Sequence, residues 1–428
     1  MDSRAVPGTT NIVVEVARSW RLNSDMASFR PVTTLVKKAR DAHSRHRDRH
    51  RPTGFGFALA DRVDYLDGLA WDSLTAQDSV FLSRRYLRVL EDCGPRNVRQ
   101  RYALVFRGRD AVAAVAAQAV SASAARLPKE APSQVVSSAL KHVDQQILVC
   151  GNLLSWGFHG VAFAPGVDRR EIWAAVADAL YRIRRADRLF GDTDLVLVKD
   201  VTDPHAADAE ELQRYSYRPL ETEPNMVLDI RPSWRGYDDY LAGLTANYRK
   251  AARNIARDTA AAGYVVERLS NVEGHAKVLH DLYLQVHERQ KFRVVTLAPE
   301  FVPALADAFP ADFRVTVARR DSEIAGFVTT LRDGDTAVGY YIGFDSAANA
   351  GTPLYLRLLH AVVQDGIEMG CRRVSLGRTA LEPKARLGAR PAPMRVWVRH
   401  RVPALNVVVR GLLRTISHED APDRNPFK

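Results

Sequence analysis

The chain shows the same succession of hydrophobic patterns twice, once in each half. In the first half, apolar residues at three- and four-residue spacing predict helices over 65–71 and 81–90. A strand pair, joined by a polar turn, is predicted over 102–106 and 111–120. The remaining predicted elements of this half are strands over 148–154, 161–163 and 194–199 and a helix over 169–185.

The second half repeats this order. Its predicted elements are helices over 244–262 and 272–289, a strand pair over 313–318 and 324–331, a strand over 336–344, a helix over 353–369 and a strand over 373–376. Two copies of one plan predict an α/β protein of two tandem lobes, each with a mixed sheet and flanking helices. A chance similarity of two generic α/β units is the alternative.

Composition limits the class of protein. With 428 residues, 46% hydrophobic and 26% charged, the chain is too apolar to be mainly disordered. No apolar stretch reaches the roughly 18 residues that a membrane span needs. We expect a basic, poorly ordered leader over 1–52, a first lobe over 53–231 and a second lobe over 232–428.

The cysteines and the charge add to this picture. Cys93, Cys150 and Cys371 lie far apart, which excludes a disulfide framework and a cysteine zinc site and fits a cytoplasmic location. The net charge of +11 is concentrated in two blocks, with a balance of +9 over 371–428 and +6 over 30–51. Such blocks indicate a polyanionic partner without identifying it.

Two segments carry candidate chemistry through basic side chains. Arg249, Arg253 and Arg257 are spaced four residues apart and form a stripe on one helix face, which either contacts phosphates or is simply solvated. The segment 376–388 leaves a buried strand and is predicted to be an irregular loop in the crevice where α/β proteins usually bind ligands. Lys384 there can neutralise a phosphate or an oxyanion, although a surface lysine is the alternative.

Two further segments give weaker signals. Tyr340 and Tyr341 lie on a predicted strand and face opposite sides, followed by a small-residue loop over 346–352 and a helix whose N-terminus can bind an anion. The polar cluster over 287–292 ends a helix, where cationic groups also have a dipole explanation.

Together, segments 248–263, 340–345 and 376–388 resemble the FemAB-like branch of the GNAT acyltransferase superfamily, which includes the Fem-type peptidoglycan-bridge aminoacyltransferases. The resemblance is concentrated in residues 232–401, and the first half is similar to a degenerate first lobe. It implies transfer of an acyl or aminoacyl group to an amine by direct attack, without a covalent enzyme intermediate. Lys384 matches the lysine of the Fem-type phenylalanine–lysine loop, but Pro383 replaces the aromatic residue.

The resemblance and the residues together predict a site. We expect Lys384, with Arg378, to stabilise an oxyanion or a donor phosphate, and Tyr341 or Asp345 to orient or deprotonate the amine. The predicted substrate-binding residues are Arg378, Thr379, Arg386, Arg249, Arg253, His287 and Arg289. Gly351 and Thr352 are predicted to contact the co-substrate, although the coenzyme A loop pattern of ordinary GNAT enzymes is missing at 346–352. No metal and no permanently bound cofactor are expected.

Three functions compete at this point. The leading one is an N-acyltransferase that uses a thioester, acyl-CoA or acyl-carrier protein, and a small-molecule or cell-envelope amine as acceptor. An aminoacyl-tRNA-dependent Fem-type aminoacyltransferase, acting in cell-envelope or specialised-metabolite biosynthesis, is the second. A polyanion-binding protein that kept the fold and lost the chemistry is the third.

Overall fold

The computed structural model of the protein describes residues 53–122, 145–290, 293–402, 406, 422 and 424–428. The predicted basic leader lies outside the described residues, as do Lys291 and Phe292 of the polar cluster and most of 403–423. Thr53–Lys428 form one structural unit. None of the described helices combines the length and the apolar character needed to cross a membrane.

Thirteen strands are present in the described ranges. They are β1 (Gly56–Ala60), β2 (Val98–Arg107), β3 (Asp110–Ala122), β4 (Gln145–Cys150), β5 (Val161–Phe163), β6 (Leu195–Val201), β7 (Arg218–Asp229), β8 (Val265–Arg268), β9 (Phe313–Arg320), β10 (Glu323–Asp333), β11 (Thr336–Phe344), β12 (Arg373–Ser375) and β13 (Arg390–His400).

The α-helices flank these strands. They are α1 (Gly68–Thr75), α2 (Arg84–Cys93), α3 (Arg169–Ala186), α4 (Asp203–Ala209), α5 (Tyr237–Gly243), α6 (Ala246–Ala261), α7 (Ala276–His287), α8 (Phe301–Ala308), α9 (Ser346–Gly351), α10 (Leu354–Glu368) and α11 (Leu381–Arg386). Short 3-10 helices cover Val63–Tyr65, Val80–Leu82, Asp187–Phe190, Glu210–Tyr215 and Glu273–His275.

The two halves share one mixed sheet. Its order is β1-β2-β3-β4-β6-β13-β7-β12-β11-β10-β9-β8, and β5 pairs with β3 beside this path. The last strand of the first half, β7, pairs with β12, while the last strand of the second half, β13, pairs with β6. The two exchanged strands also pair with each other. The tandem α/β plan is therefore confirmed, but the expected two sheets are joined into one.

The exchanged strand β7 has a weak sequence signal. No strand is predicted at β7, because its acidic residues and prolines are unusual in a central strand. The ladder between β7 and β13 is irregular between Ala392 and Met394, and Pro224 and Pro393 lie within that irregularity. Proline is tolerated there because no ladder hydrogen bond from its nitrogen is required.

The regularly patterned helices bury the faces that their spacing predicts. In α3, Trp173 and Leu180 are fully buried against the first half of the sheet, and in α10 Leu358 and Val362 play the same part in the second half. One predicted strand, 148–154, is shorter than expected. It ends at Cys150, after which Gly151 adopts a φ of +125° and the chain leaves the sheet.

Candidate active site

The second half of the sheet splits open beside two parallel strands. β11 and β12 pair through only three residues, the last pair being Val338 with Ser375. β12 then ends, while β11 continues to Phe344. Because both carboxyl ends lie at the same edge, the split opens where α/β folds usually place a ligand. We call this region the strand split.

A bulge in β11 determines how its tyrosines are held. The register against β10 shifts between Val328 and Thr330, which leaves the buried Thr329 opposite the irregularity. The Thr329 hydroxyl accepts a hydrogen bond from the Tyr341 amide at 2.8 Å and lies 3.4 Å from the Tyr341 carbonyl oxygen. The amide of Tyr341 is therefore already bonded and does not point at a ligand.

Both tyrosines connect the split to the first half of the chain. The hydroxyls of Tyr340 and Tyr86 are 2.5 Å apart, and the Asn152 side chain donates to Tyr86 at 2.8 Å. The Tyr341 hydroxyl donates to the carbonyl oxygen of Leu154 at 3.0 Å. Burial raises the pKa of Tyr340 and of Tyr341 well above 10. At neutral pH Tyr341 is therefore a neutral phenol that donates a hydrogen bond, a state suited to orienting a group rather than deprotonating it.

Lys384 lies in a buried helix rather than in the irregular loop that the sequence predicts. Pro383 is compatible with α11 because it occupies the first turn, where backbone N–H groups have no helical partner. The helix ends with the Gly388 amide donating to Ala385 and the Ala389 amide donating to Lys384. The prediction of an irregular segment was wrong at this point because Pro383 looked like a helix breaker.

The Lys384 ammonium has no hydrogen-bond or ion-pair partner among the described residues. Lys384 is only 4% exposed, and burial lowers its pKa to about 7, opposed by the charge of the exposed Glu223. A buried cation without a close counter-ion costs free energy unless an anion approaches it. The environment of Lys384 thus differs from that of a surface lysine and suits an anionic ligand or a developing negative charge.

The C-terminal residues pack against α11. Arg424 forms an ion pair with Glu382 at 3.0 Å, and the Phe427 ring covers Gly388, whose φ is +95°. The Tyr240 hydroxyl donates to the carbonyl oxygen of Leu387 at 3.0 Å. These contacts fix both ends of the short helix that carries Lys384.

Gly388→Ala is expected to destabilise the protein by on the order of 1–3 kcal/mol more than Gly370→Ala. Both glycines have positive φ, but a Cβ at 388 would collide with the Phe427 ring, whereas nothing lies within 4 Å of a Cβ at 370. Chemical denaturation of the two variants measures the difference. Adding Phe427→Ala to each should remove most of it, and an unchanged difference would contradict the packing role of Phe427.

Residues of the first half reach the strand split as well. The Trp156 indole donates to the Ser375 hydroxyl at 2.8 Å, and Ser375 donates to the Asn225 side-chain oxygen at 3.1 Å. The same oxygen accepts from the Gly377 amide at 3.1 Å. Trp156 and Asn225 were not predicted from the sequence, since no local motif links them to Ser375, which lies 150 or more positions away.

The other predicted catalytic and cofactor residues have defined local roles. Asp345 caps α9 by accepting from the Ala348 amide at 2.7 Å. Gly351 is exposed at the end of α9, which replaces the predicted loop, and Thr352 is buried beside it. The first amides of α10 are already bonded, Leu354 to the Thr352 carbonyl and Tyr355 to the Asn349 side chain.

The predicted substrate-binding residues do not form one cluster of contacts. Arg378 donates to the buried Asp200 at 3.0 Å, Thr379 is exposed, and Arg386 pairs with Glu382 at 2.9 Å. Arg249 donates to the carbonyl oxygens of Ala242 and Leu244, while Arg253 is exposed. The basic stripe is therefore partly used within the fold.

One face of α7 approaches the strand split from the other side. His287 lies 3.1 Å from the Thr296 hydroxyl and stacks on Tyr283, while Arg289 is exposed after the helix. Tyr283 contacts Tyr341 edge to face, with ring centroids 5.8 Å apart. A small, mainly apolar pocket adjoins this contact, lined among others by Leu279, Leu297 and Phe327. Within the described residues, no group of three His, Cys, Asp or Glu side chains could hold a metal ion.

Comparison with known proteins agrees with this arrangement. Residues 245–385 match the family model described as an acetyltransferase (GNAT) domain. The enzyme class that this domain defines is an acyltransferase, and the predicted resemblance to the GNAT superfamily is confirmed over these residues. No curated protein matches the chain in sequence.

The chain is similar to several solved structures at low sequence identity. FemX is 11% identical with a TM-score of 0.52, and the match covers 81% of this chain and 98% of that one. A tandem GNAT protein from the clavulanic acid biosynthesis pathway is 15% identical with a TM-score of 0.47, covering 81% and 98%. L-PGS from Bacillus licheniformis is 12% identical with a TM-score of 0.43, covering 76% and 95%.

Proposed function

We propose that the protein is an N-acyltransferase that moves an acyl group from a thioester donor, acyl-CoA or acyl-carrier protein, to an amine acceptor. The observation that carries the proposal is the buried Lys384 on the helix that follows the strand split, whose ammonium has no hydrogen-bond or ion-pair partner within the described ranges. The GNAT-type domain over 245–385 contains this residue and both strands of the split. The acceptor is a small-molecule or cell-envelope amine, and the reaction is assigned to the cytoplasm.

The chemistry at the split is direct attack. The amine nitrogen forms a bond to the donor carbonyl carbon, and the carbonyl oxygen becomes an oxyanion. The C–S bond then breaks, and the leaving thiolate takes up the proton that the nitrogen loses, which gives an amide and a thiol. Lys384 supplies positive charge to the oxyanion or to a donor phosphate, where a low-dielectric environment strengthens the interaction. Tyr341 orients the reacting groups as a neutral phenol.

A second donor, aminoacyl-tRNA, is favoured by a different observation. The first two amides of α10 are bonded to Thr352 and Asn349, so this helix start offers fewer free N–H groups to a coenzyme A pyrophosphate. Exposed basic residues of α6, such as Lys250 and Arg253, suit the backbone of a polynucleotide. In this version an ester rather than a thioester is broken and the same amide is formed.

Salt dependence should separate the two donors. With a thioester donor, we expect saturable coenzyme A binding and only weak retention of total tRNA. With a tRNA donor, the logarithm of the association constant should fall steeply with the logarithm of the salt concentration. Mass spectrometry of amide products from each donor class completes the test. Anion binding without a product from any donor would instead support the non-catalytic alternative.

A further inference from the structure

We propose that Asp200, from the first half of the chain, is a positioning residue of the active site that acts through Arg378. It holds the segment 376–380, which connects β12 to the helix of Lys384. The inference rests on the proposed function, because it assigns Asp200 to the same site. Asp200 lies outside the 245–385 segment that the family model matches.

Asp200 is built into the fold in an unusual way. Its side chain is fully buried, near the end of β6, and its φ is +55°. One carboxylate oxygen accepts from Arg378 at 3.0 Å. The other accepts from the Lys199 ammonium and from the Gly157 amide, the latter at 3.3 Å. A positive φ in a non-glycine residue is tolerated best by Asp and Asn, so the conformation is retained where surrounding contacts require it.

Those contacts connect the first half to the strand split at two points. Arg378 lies three residues after the end of β12 and six residues before Lys384. Gly157 follows Trp156, whose indole donates to Ser375 in β12. A Cβ at Gly377, where φ is +81°, would lie 3.2 Å from the Trp156 ring, so the two segments are in close contact. Asp200 therefore bonds both segments that meet beside the split.

The charge of Asp200 is needed to hold this arrangement. Lys199 and Arg378 both donate to its carboxylate, and their side chains are only 13% and 26% exposed. Without the negative charge, two partly buried cations would face each other without compensation. Arg378 would then turn toward solvent, and the 376–380 segment would lose a fixed point. Since misplacement by about 1 Å can cost on the order of a hundredfold in rate, such a loss would be visible in turnover.

Asp200→Asn tests this inference, because Asn accepts the same backbone conformation and differs mainly in charge. Asp187→Asn is the matched control. Asp187 also forms a largely buried ion pair, with Arg101 at 2.7 Å, and the hydrogen bonds and ion pairs of the two residues do not involve the 376–388 segment. Four variants are compared in the full chain, namely Asp200→Asn, Asp187→Asn, Arg378→Gln and the Asp200→Asn/Arg378→Gln double variant. The measurements are Tm, kcat, KM and amide hydrogen exchange of residues 376–388.

We expect Asp200→Asn to lower kcat on the order of a hundredfold, with a much smaller change in the KM of the acceptor. The double variant should be no worse than the worse single variant, since the two residues act as a unit. Exchange of 376–388 should become faster in Asp200→Asn and stay unchanged in Asp187→Asn. Equal losses of kcat in both Asn variants, additive losses in the double variant, or unchanged exchange in Asp200→Asn would overturn the inference.

These outcomes separate the inference from the proposed function. If the wild-type protein forms no amide from any donor, the proposed function fails. The exchange measurement still decides whether Asp200 holds the 376–388 segment, because it requires no activity.

Discussion

Replacing Lys384 with methionine is expected to lower kcat about 100–1,000-fold, the loss seen when one preorganised donor to a developing oxyanion is removed. Methionine has a similar length and fits an apolar site, so the fold should be retained. The reason for the size of the effect is the location of Lys384, a residue that is 4% exposed and whose ammonium has no partner in the described structure. Amide formation under saturating donor and acceptor measures kcat directly.

Lys277→Met is the matched control for this substitution. Lys277 lies on α7, its side chain is 87% exposed, and it pairs with Asp281 on the surface. The same chemical change there should leave kcat and Tm close to the wild-type values, since exposed ion pairs contribute little. Wild-type turnover in Lys384→Met would show that the charge meets no reacting group, and the site assignment would be wrong.

The same Lys384→Met substitution is expected to stabilise the protein at neutral and acidic pH. Burial lowers the pKa of Lys384 to about 7 in the folded protein, from 10.5 for a free lysine side chain. Below about pH 7 the buried ammonium is charged, and folding carries its full desolvation cost. Between about pH 7 and 10.5 the unfolded chain binds more protons than the folded one, so wild-type stability recovers as the pH rises.

The gain in folding stability from the Lys384→Met substitution should therefore be largest at pH 6 and should decrease toward pH 10. At pH 6 we expect it to be on the order of 1–4 kcal/mol, the range found when buried charged groups are replaced by apolar ones. Denaturant titrations of both proteins at the two pH values give the difference, in which all other titrating groups cancel. Destabilisation at pH 6, or a gain that increases with pH, would contradict the buried, unpaired state of Lys384.

These two expectations together describe a residue retained for function at a cost in stability. An anion that binds beside Lys384 should raise the pKa of the ammonium and stabilise the folded wild-type protein. A donor analogue that raises the Tm of the wild type, and not that of Lys384→Met, would locate its charge at this residue. This measurement works for a thioester and for a tRNA fragment alike.

Much of the architecture follows from local pattern. The strand pair β2 and β3 and the strand β11 are alternating or continuous apolar runs bounded by turn residues, and they form as predicted. Helices α3 and α10 have a regular apolar face and appear within two residues of their predicted ends. Lys384 itself was identified from its segment and from the family resemblance.

Other features depended on contacts between distant segments. β7 has no strong strand signal, and only pairing with β12 and β13 gives it a place in the sheet. Asn225 reaches Ser375 across 150 residues of sequence, and Asp200 reaches Arg378 across 178. Neither pair could be predicted from a motif, because its two partners lie in distant segments and the local sequence does not show which segments meet.

The sequence by itself determined the repeated order of helices and strands, the acyltransferase resemblance and the candidate lysine. Tertiary structure decided that the two halves form one sheet, that α11 is helical around Pro383, and that Lys384 is buried with no hydrogen-bond or ion-pair partner among the described residues. The physical reason is the distance along the sequence over which each kind of interaction acts. Hydrophobic periodicity acts over neighbouring residues and is written in the local sequence. Strand exchange and the burial of a charge depend on which distant surfaces meet, and only the packed chain determines that.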